Sequence, residues 1–236
     1  MFETAIREGV LQLSRPETQW LSTGWDGGHS HAGAAYNVTV PSGWERTDLE
    51  CYATDRLESA GFDTDGPVLL TGVSQEHARL ARHGPVVAVA TVGLSNPATL
   101  PVDPDGQAAD SDETTECGRA PTGTCNLFVG TTRDLEAGAL ANVLTVAAEA
   151  KAATLLSSVG FTGTTSDAVV AACDPTGDST DFSGSATPVG DAVRACVRDA
   201  LTASLESRYA DESPPTSVAD ADHGVVTTTT AEVFQL

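Results

Sequence analysis

Lysine is nearly absent from this chain. Of its 236 residues, 12 are basic, and all of these are arginine except Lys151. No glycine-rich run precedes that lysine, so a G-x-x-x-x-G-K-[ST] phosphate loop is excluded, and ATP chemistry of that type with it. There is also no G-x-G-x-x-G after a strand, no H-E-x-x-H and no G-x-S-x-G. The common dinucleotide, zinc-protease and α/β-hydrolase readings therefore lapse. Basic clusters are missing too, which argues against nucleic acid, because phosphate binding draws on clustered Lys and Arg to release counterions. No run of about 18 apolar residues stands out. The start MFETAIREGV has neither the basic flank nor the apolar centre of a signal peptide. The expectation is a cytoplasmic protein with no membrane partner. The cysteines Cys51, Cys117, Cys125, Cys173 and Cys196 are odd in number and form no C-x-x-C pair. Neither a disulfide frame nor a structural zinc site is expected from them, so they read as small buried or idle thiols.

What the chain has in excess is acid. Thirty-three acidic residues give a formal net charge of -21, against a hydrophobic content of 40%. The apolar residues fall into periodic segments, which places the charge on a folded surface instead of in a disordered tail. Spread acidity with arginine in place of lysine suits a protein of a salty cytoplasm, where molar salt cuts the Debye length to about 3 Å and screens self-repulsion. At this length a single domain spanning 1–236 is expected.

Strand-like runs lie at Val10 to Leu13, Gln19 to Ser22, Tyr36 to Val40, Val68 to Leu70, Val86 to Val92, Cys125 to Thr131, Ala168 to Cys173 and Val225 to Thr230. A first helix is predicted from Thr47, where Thr-Asp-Leu-Glu offers a capping box, to Gly61. A short one is predicted after Ser74, from Gln75 to His83, ahead of Gly84-Pro85. The longest runs from about Leu135 to Val159 with Gly160 as its stop, and another opens at Thr187-Pro188 and reaches Tyr209. Pro97 to Pro121 reads as an acidic surface insertion, and the tail after 210 is the least defined segment. The predicted fold class is α+β: largely antiparallel sheets covered by two long and two shorter helices, as a layered sandwich.

Four turns at strand ends are rich in glycine and hydroxyls: Asp26-Gly27-Gly28, Thr91 to Asn96 (TVGLSN), Gly123 to Asn126 (GTCN) and Thr162 to Asp167 (TGTTSD). Small residues admit a ligand to the backbone. Asn, Ser and Thr bring neutral donors and acceptors suited to amides and hydroxyls more than to phosphates. Each turn alone is also what local turn chemistry favours.

Their order is more specific. TVGLSN, GTCN, the EAK of Glu149 to Lys151, TGTTSD and the FSGSATPVG run before the last helix together resemble the adenosylcobinamide amidohydrolase family (CbiZ), over roughly Leu21 to Tyr209. The resemblance implies hydrolysis of the amide joining aminopropanol to the corrin ring, releasing adenosylcobyric acid in cobamide (vitamin B12) salvage. The substrate would be a small-molecule corrinoid and no cofactor is implied; self-association is left open. Asp26 stands where the family pattern often has Asn, so it is not taken as a site residue. Ser166 replaces a threonine and keeps the hydroxyl.

An amidohydrolase must activate a nucleophile, stabilise an oxyanion and protonate a poor amine leaving group. Lys151 is the first candidate, because a chain that avoids lysine keeps one in an apolar helix, where burial would suit it to acid–base work. The bland alternative is a lysine whose stem packs and whose head reaches water. Asp167 is the expected carboxylate, activating water or orienting Thr164 or Ser166 as nucleophile. Glu149 is the second acidic candidate, although two positions from Lys151 its side chain diverges on a helix. Asn37, Ser95, Asn96, Thr124 and Asn126 are the expected substrate-binding residues. A rival reading is metal-dependent amide hydrolysis through His29 and His31, which share one face of a strand. A non-catalytic corrinoid-binding module is the other.

Overall fold

The computed structural model describes residues 1–41, 43–44, 48–103 and 123–236. In chain order the elements are β1 (Glu3–Arg7), β2 (Val10–Ser22), β3 (Gly28–Thr39), α1 (Leu49–Ser59), β4 (Val68–Thr71), β5 (Arg79–His83), β6 (Val86–Val92), β7 (Pro97–Thr99), β8 (Cys125–Thr131), β9 (Asp134–Leu135), α2 (Ala137–Val159), β10 (Gly163–Thr164), β11 (Ala168–Cys173), β12 (Ser179–Thr180), α3 (Pro188–Arg208) and β13 (Val225–Val226). The main sheet has eight strands in the order β4-β3-β2-β11-β8-β6-β5, with β1 added on β2. Among the described residues its parallel pairs are β3 with β4 and β8 with β11; the other neighbours run antiparallel. The class is therefore α+β, with a mixed, mostly antiparallel sheet packed against three helices.

The sheet curls. β4 and β8 are separated by three strands in the order, yet Asn126 Nδ2 on β8 donates to the Leu70 carbonyl on β4 at 3.0 Å. The bend is built into β2, where the register with β3 shifts between Ser14 and Thr18 and Glu17 takes a positive φ of 53°. A shift of this kind exchanges the two faces of a strand. Before it Leu11 and Leu13 face the inner core; after it Trp20 does, with Val87, Val89, Phe128 and Val170 from the other half of the sheet. Phe2 seals that core, its ring meeting Trp20 edge-on at 6.1 Å. A Cβ on Gly130 would run into the same ring at 2.8 Å, so glycine is required there.

The helices cover the two outer faces. α1 packs Tyr52 and Leu57 against Val10, Tyr36 and Val38. α2 and α3 pack Leu140, Val143, Ala147, Val193, Val197 and Leu201 onto Val86, Ala88, Leu127 and Ala171. By length and composition α2 is apolar enough to cross a membrane, but Leu140, Val143, Ala147 and Ala150 are buried against the sheet and α3, as a core helix requires. Gly160 ends it in the left-handed region at φ 81°. Thr187 caps α3 by accepting from the Gly190 N–H at 3.0 Å.

Several expectations are corrected. Gln75–His77 forms only a single 3-10 turn, capped by Ser74, and the rest of the predicted helix is strand β5. Gly84 at φ 52° turns β5 back onto β6, and a full antiparallel ladder from Arg79↔Ala90 to His83↔Val86 outweighs a two-turn helix whose nucleation is costly. Among the described residues there are thus two long α-helices and one shorter one. The runs Val10 to Leu13 and Gln19 to Ser22 are one bent strand. The last strand is confined to Val225–Val226. Part of the supposed insertion, Pro97–Thr99, is strand β7 in a three-stranded sheet ordered β10-β7-β13. The rest of that insertion from 104 to 122, Cys117 with it, and the Thr47 cap lie outside the described residues; α1 begins at Leu49 behind Asp48.

Candidate active site

Topology brings three of the hydroxyl-rich turns to one end of the sheet. β6 and β8 run antiparallel, so the end of β6 lies beside the start of β8, with Val92 opposite Cys125. β8 and β11 run parallel, so their starts are adjacent, with Asn126 opposite Ala168. Residues 93–96, 123–124 and 163–167 are the loops attached at those points. β7 then pairs with β10 through Pro97↔Thr164 and Ala98↔Gly163, which ties the first loop to the third.

At the centre Lys151 Nζ donates to Asp167 Oδ2, reaching in from α2. Each side chain keeps only 12% of its surface exposed. The carboxylate accepts three further bonds. The Cys125 N–H donates to Oδ1 and the Thr164 N–H to Oδ2, both at 3.0 Å, and the Thr164 hydroxyl donates to Oδ1. An ionised carboxylate offers about four lone-pair sites, so Asp167 is saturated. Gly163 completes the packing, since a Cβ there would meet Asp167 Oδ2 and stand 2.5 Å from Lys151 Nζ.

A second layer of hydroxyls surrounds this pair. Asn96 Nδ2 donates to Thr165 Oγ1 at 2.7 Å and to Ser166 Oγ at 3.2 Å. Ser166 and Thr124 hydroxyls are 2.9 Å apart, and both donate to the Gly123 carbonyl, at 3.0 and 2.8 Å. A Cβ on Gly123 would stand 2.5 Å from both Asn96 Oδ1 and the Ser95 amide nitrogen, so Ser95 and Asn96 lie directly against this turn. Asn96 Oδ1 is itself buried without a hydrogen-bond partner.

The structure thus joins Lys151, Asp167, Thr164, Ser166, Ser95, Asn96 and Thr124. It separates three other candidates. Glu149 turns to the opposite side of α2 and forms a 3.0 Å ion pair with Arg194 on α3, as the two-residue offset from Lys151 on a helix dictates. Asn37 and Asn126 sit in the curl of the sheet, bonded to each other at 2.9 Å. Asn37 also donates to Thr91 at 3.0 Å, and Gln75 donates to Thr39 at 3.1 Å in the same buried group. These amides staple β3, β6 and β8 from inside. Sequence reasoning passed over Gly163 and Thr165; the signal was there in the repeated small and hydroxyl residues of TGTTSD.

Cys125 lies next to the carboxylate but is unsuited to attack. Burial, and then the Asp167 charge, push its thiol well above the usual cysteine range, with Lys151 opposing. His29 and His31 are exposed along β3, and among the described residues no group of three His, Cys, Asp or Glu is placed to hold a metal. Cys51 is exposed, while Cys173 and Cys196 are buried free thiols.

This cluster of a charged pair and hydroxyls can now be set beside known proteins. A relative from Halobacterium salinarum, "Adenosylcobinamide amidohydrolase", is 57% identical over 237 residues, covering 100% of both chains. One of the same name from Methanosarcina mazei is 27% identical over 213 residues, covering 86% of this chain and 97% of its own. The sequence profile of the adenosylcobinamide amidohydrolase family matches residues 2–213, from the first strand to just past α3, and with so much of the fold included the protein belongs to that family.

Proposed function

We propose that this chain hydrolyses the amide between aminopropanol and the corrin ring of adenosylcobinamide, yielding adenosylcobyric acid for cobamide salvage. The observation that carries this reading is end-to-end likeness to the halobacterial adenosylcobinamide amidohydrolase, in a chain whose lone lysine is paired with a carboxylate among hydroxyls.

Saturation of Asp167 supports one division of the work among these residues. With every lone pair occupied, the carboxylate has no vacant position for an attacking water. Of the four donors aimed at it, the hydroxyl is that of Thr164. In the proposed first half-reaction the hydroxyl proton passes to Asp167 while Thr164 Oγ1 bonds to the amide carbon. Lys151 faces the negative charge that develops on the carbonyl oxygen and supplies a proton as the C–N bond breaks, so aminopropanol leaves as a neutral amine. In the second half-reaction a water attacks the threonyl ester and gives its proton to the now neutral Lys151, while Asp167 returns its proton to the departing Thr164 oxygen, so the corrinoid acid is freed and both side chains regain their starting charge. Ser166, Thr124 and Asn96, whose donors are engaged by Gly123, Thr165 and Ser166, hold the turn that carries Thr164.

The test is a product assay in molar KCl, with mass spectrometry of acid-quenched reactions. Free aminopropanol and a corrinoid adduct on the Thr162–Asp167 peptide are expected. Thr164→Ala should lose about 1000-fold in turnover, within the range for loss of an activated nucleophile. Full activity of Thr164→Ala with no adduct would return the attack to water.

A further inference from the structure

The matched family profile ends at residue 213, yet the chain beyond it is built into the ground beside the candidate site. The His223 N–H donates to the Ser95 carbonyl at 2.9 Å, and the Thr227 N–H to the Thr99 carbonyl at 3.0 Å. β13 lies parallel to β7 through Val225↔Ala98 and Val226↔Thr99. The opposite edge of β7 carries β10 with Thr164, so the tail and the proposed nucleophile belong to one three-stranded ribbon. A Cβ on Gly224 would stand 2.7 Å from Val218 Cγ1 and 2.9 Å from the Pro97 carbonyl oxygen, so the tail sits on β7 as closely as backbone allows.

Between this tail and the end of α3 opens a cleft of about 540 Å³, with Leu94 and Ser95 on one side and Pro215, Thr216 and Ala221 on the other. Tyr209 stands at its base, its hydroxyl accepting from the Leu94 N–H at 2.9 Å. Ser95 connects the cleft to the hydroxyl cluster, because its side chain abuts Gly123 with Asn96. Among the described residues Glu212, Asp220 and Asp222 border the cleft against one cation, Arg208, which is already paired with Glu212. The volume lies in the range of small-molecule sites, and the lining combines hydroxyls, backbone and apolar surface.

We infer that residues 214–226 are a specificity strap that walls a subsite for the corrin ring itself, distinct from the groups that cleave its side-chain amide. This rests on the proposed function. The cleft admits an edge of the ring; its acidic border suits the net positive charge of an alkylated cobalt corrin, and its hydroxyls and backbone suit the ring's primary amides. The halobacterial relative aligns through the tail as well.

Adenosylcobyric acid keeps the ring and lacks the scissile amide, so its equilibrium binding to the full-length protein in molar KCl reads this subsite without turnover. Ala221→Trp fills the cleft, and Gly224→Ala pries the strap off β7. Both should weaken binding of adenosylcobyric acid about tenfold and raise KM for adenosylcobinamide by a similar factor, a change of roughly 1.4 kcal/mol, with kcat within about threefold. Unaltered binding in both variants would overturn the inference, and so would a fall in kcat at constant KM. An unmodified protein that binds adenosylcobyric acid yet releases no aminopropanol would sink the proposed function while leaving the subsite in place.

Discussion

Replacing Lys151 by alanine tests the charged pair and the chemistry together. The substitution takes the cation from an Asp167 side chain that is only 12% exposed in the intact pair. Breaking a buried pair in this way costs about 3–5 kcal/mol when nothing else compensates. Three donors remain here, from Cys125, the Thr164 backbone and the Thr164 hydroxyl, so a cost of about 2–3 kcal/mol is expected. For a chain of this size that lowers Tm by roughly 4 to 12 °C. Turnover should fall at least about 100-fold, or roughly 2.7 kcal/mol of transition-state stabilisation. Lys151→Arg separates the two effects: it restores the charge, but a guanidinium does not give up a proton near neutral pH. Thermal melts and aminopropanol release would be followed side by side in molar KCl. The arginine variant should recover about half the lost Tm with no recovery of turnover, since a larger head must fit over Gly163. A folded Lys151→Ala protein with unchanged Tm and near-normal turnover would refute both the stability argument and the assigned role.

Gly163→Ala should act like loss of the lysine, with turnover down more than about tenfold, because its Cβ occupies the space of the Lys151 and Asp167 head groups; wild-type kinetics would show that the pair can shift freely. At Asp174, burial pushes the carboxyl up, but hydrogen bonds from Thr176 and the Arg15 guanidinium outweigh it and hold the carboxyl below the usual aspartate range. A depressed carboxylate contributes stability above its unfolded pKa and loses it as pH falls through the folded value. Asp174→Asn should therefore melt below wild type at neutral pH, with the gap closing in acid; a gap constant with pH counts against the ion pair. Finally, with a net charge of -21, Tm should climb as KCl rises from about 0.1 M to molar levels and the Debye length shortens from about 10 Å to 3 Å. A flat melt series would remove self-repulsion as a factor.

Much of this protein can be read from local chemistry. β6, β8 and β11 match their apolar runs residue for residue because strands buried on both faces leave continuous hydrophobic stretches. α2 and α3 match because Gly160 and Thr187-Pro188 are strong terminal signals. Lys151, Asp167 and Thr164 stand out in the sequence as candidates, one by rarity and two by their hydroxyl-rich turn, and the structure brings them together. What residue order alone did not determine was decided by pairing across the chain. Arg79 to His83 is strand because β6 offers an edge, a fact no window around Gln75 contains. Asn37 and Asn126 look like ligand groups in any strand-end motif, and only the curl of the sheet turns them onto each other. Glu149 is separated from Lys151 by helix geometry and claimed by Arg194. The tail offers only the strand-like run that starts at Val225, and its place beside Ser95 comes from a two-residue ladder on β7. Sequence sets most of the elements and which groups are chemically capable, because those depend largely on neighbours along the chain. Register and curvature set which groups meet, because they depend on contacts between residues far apart in it.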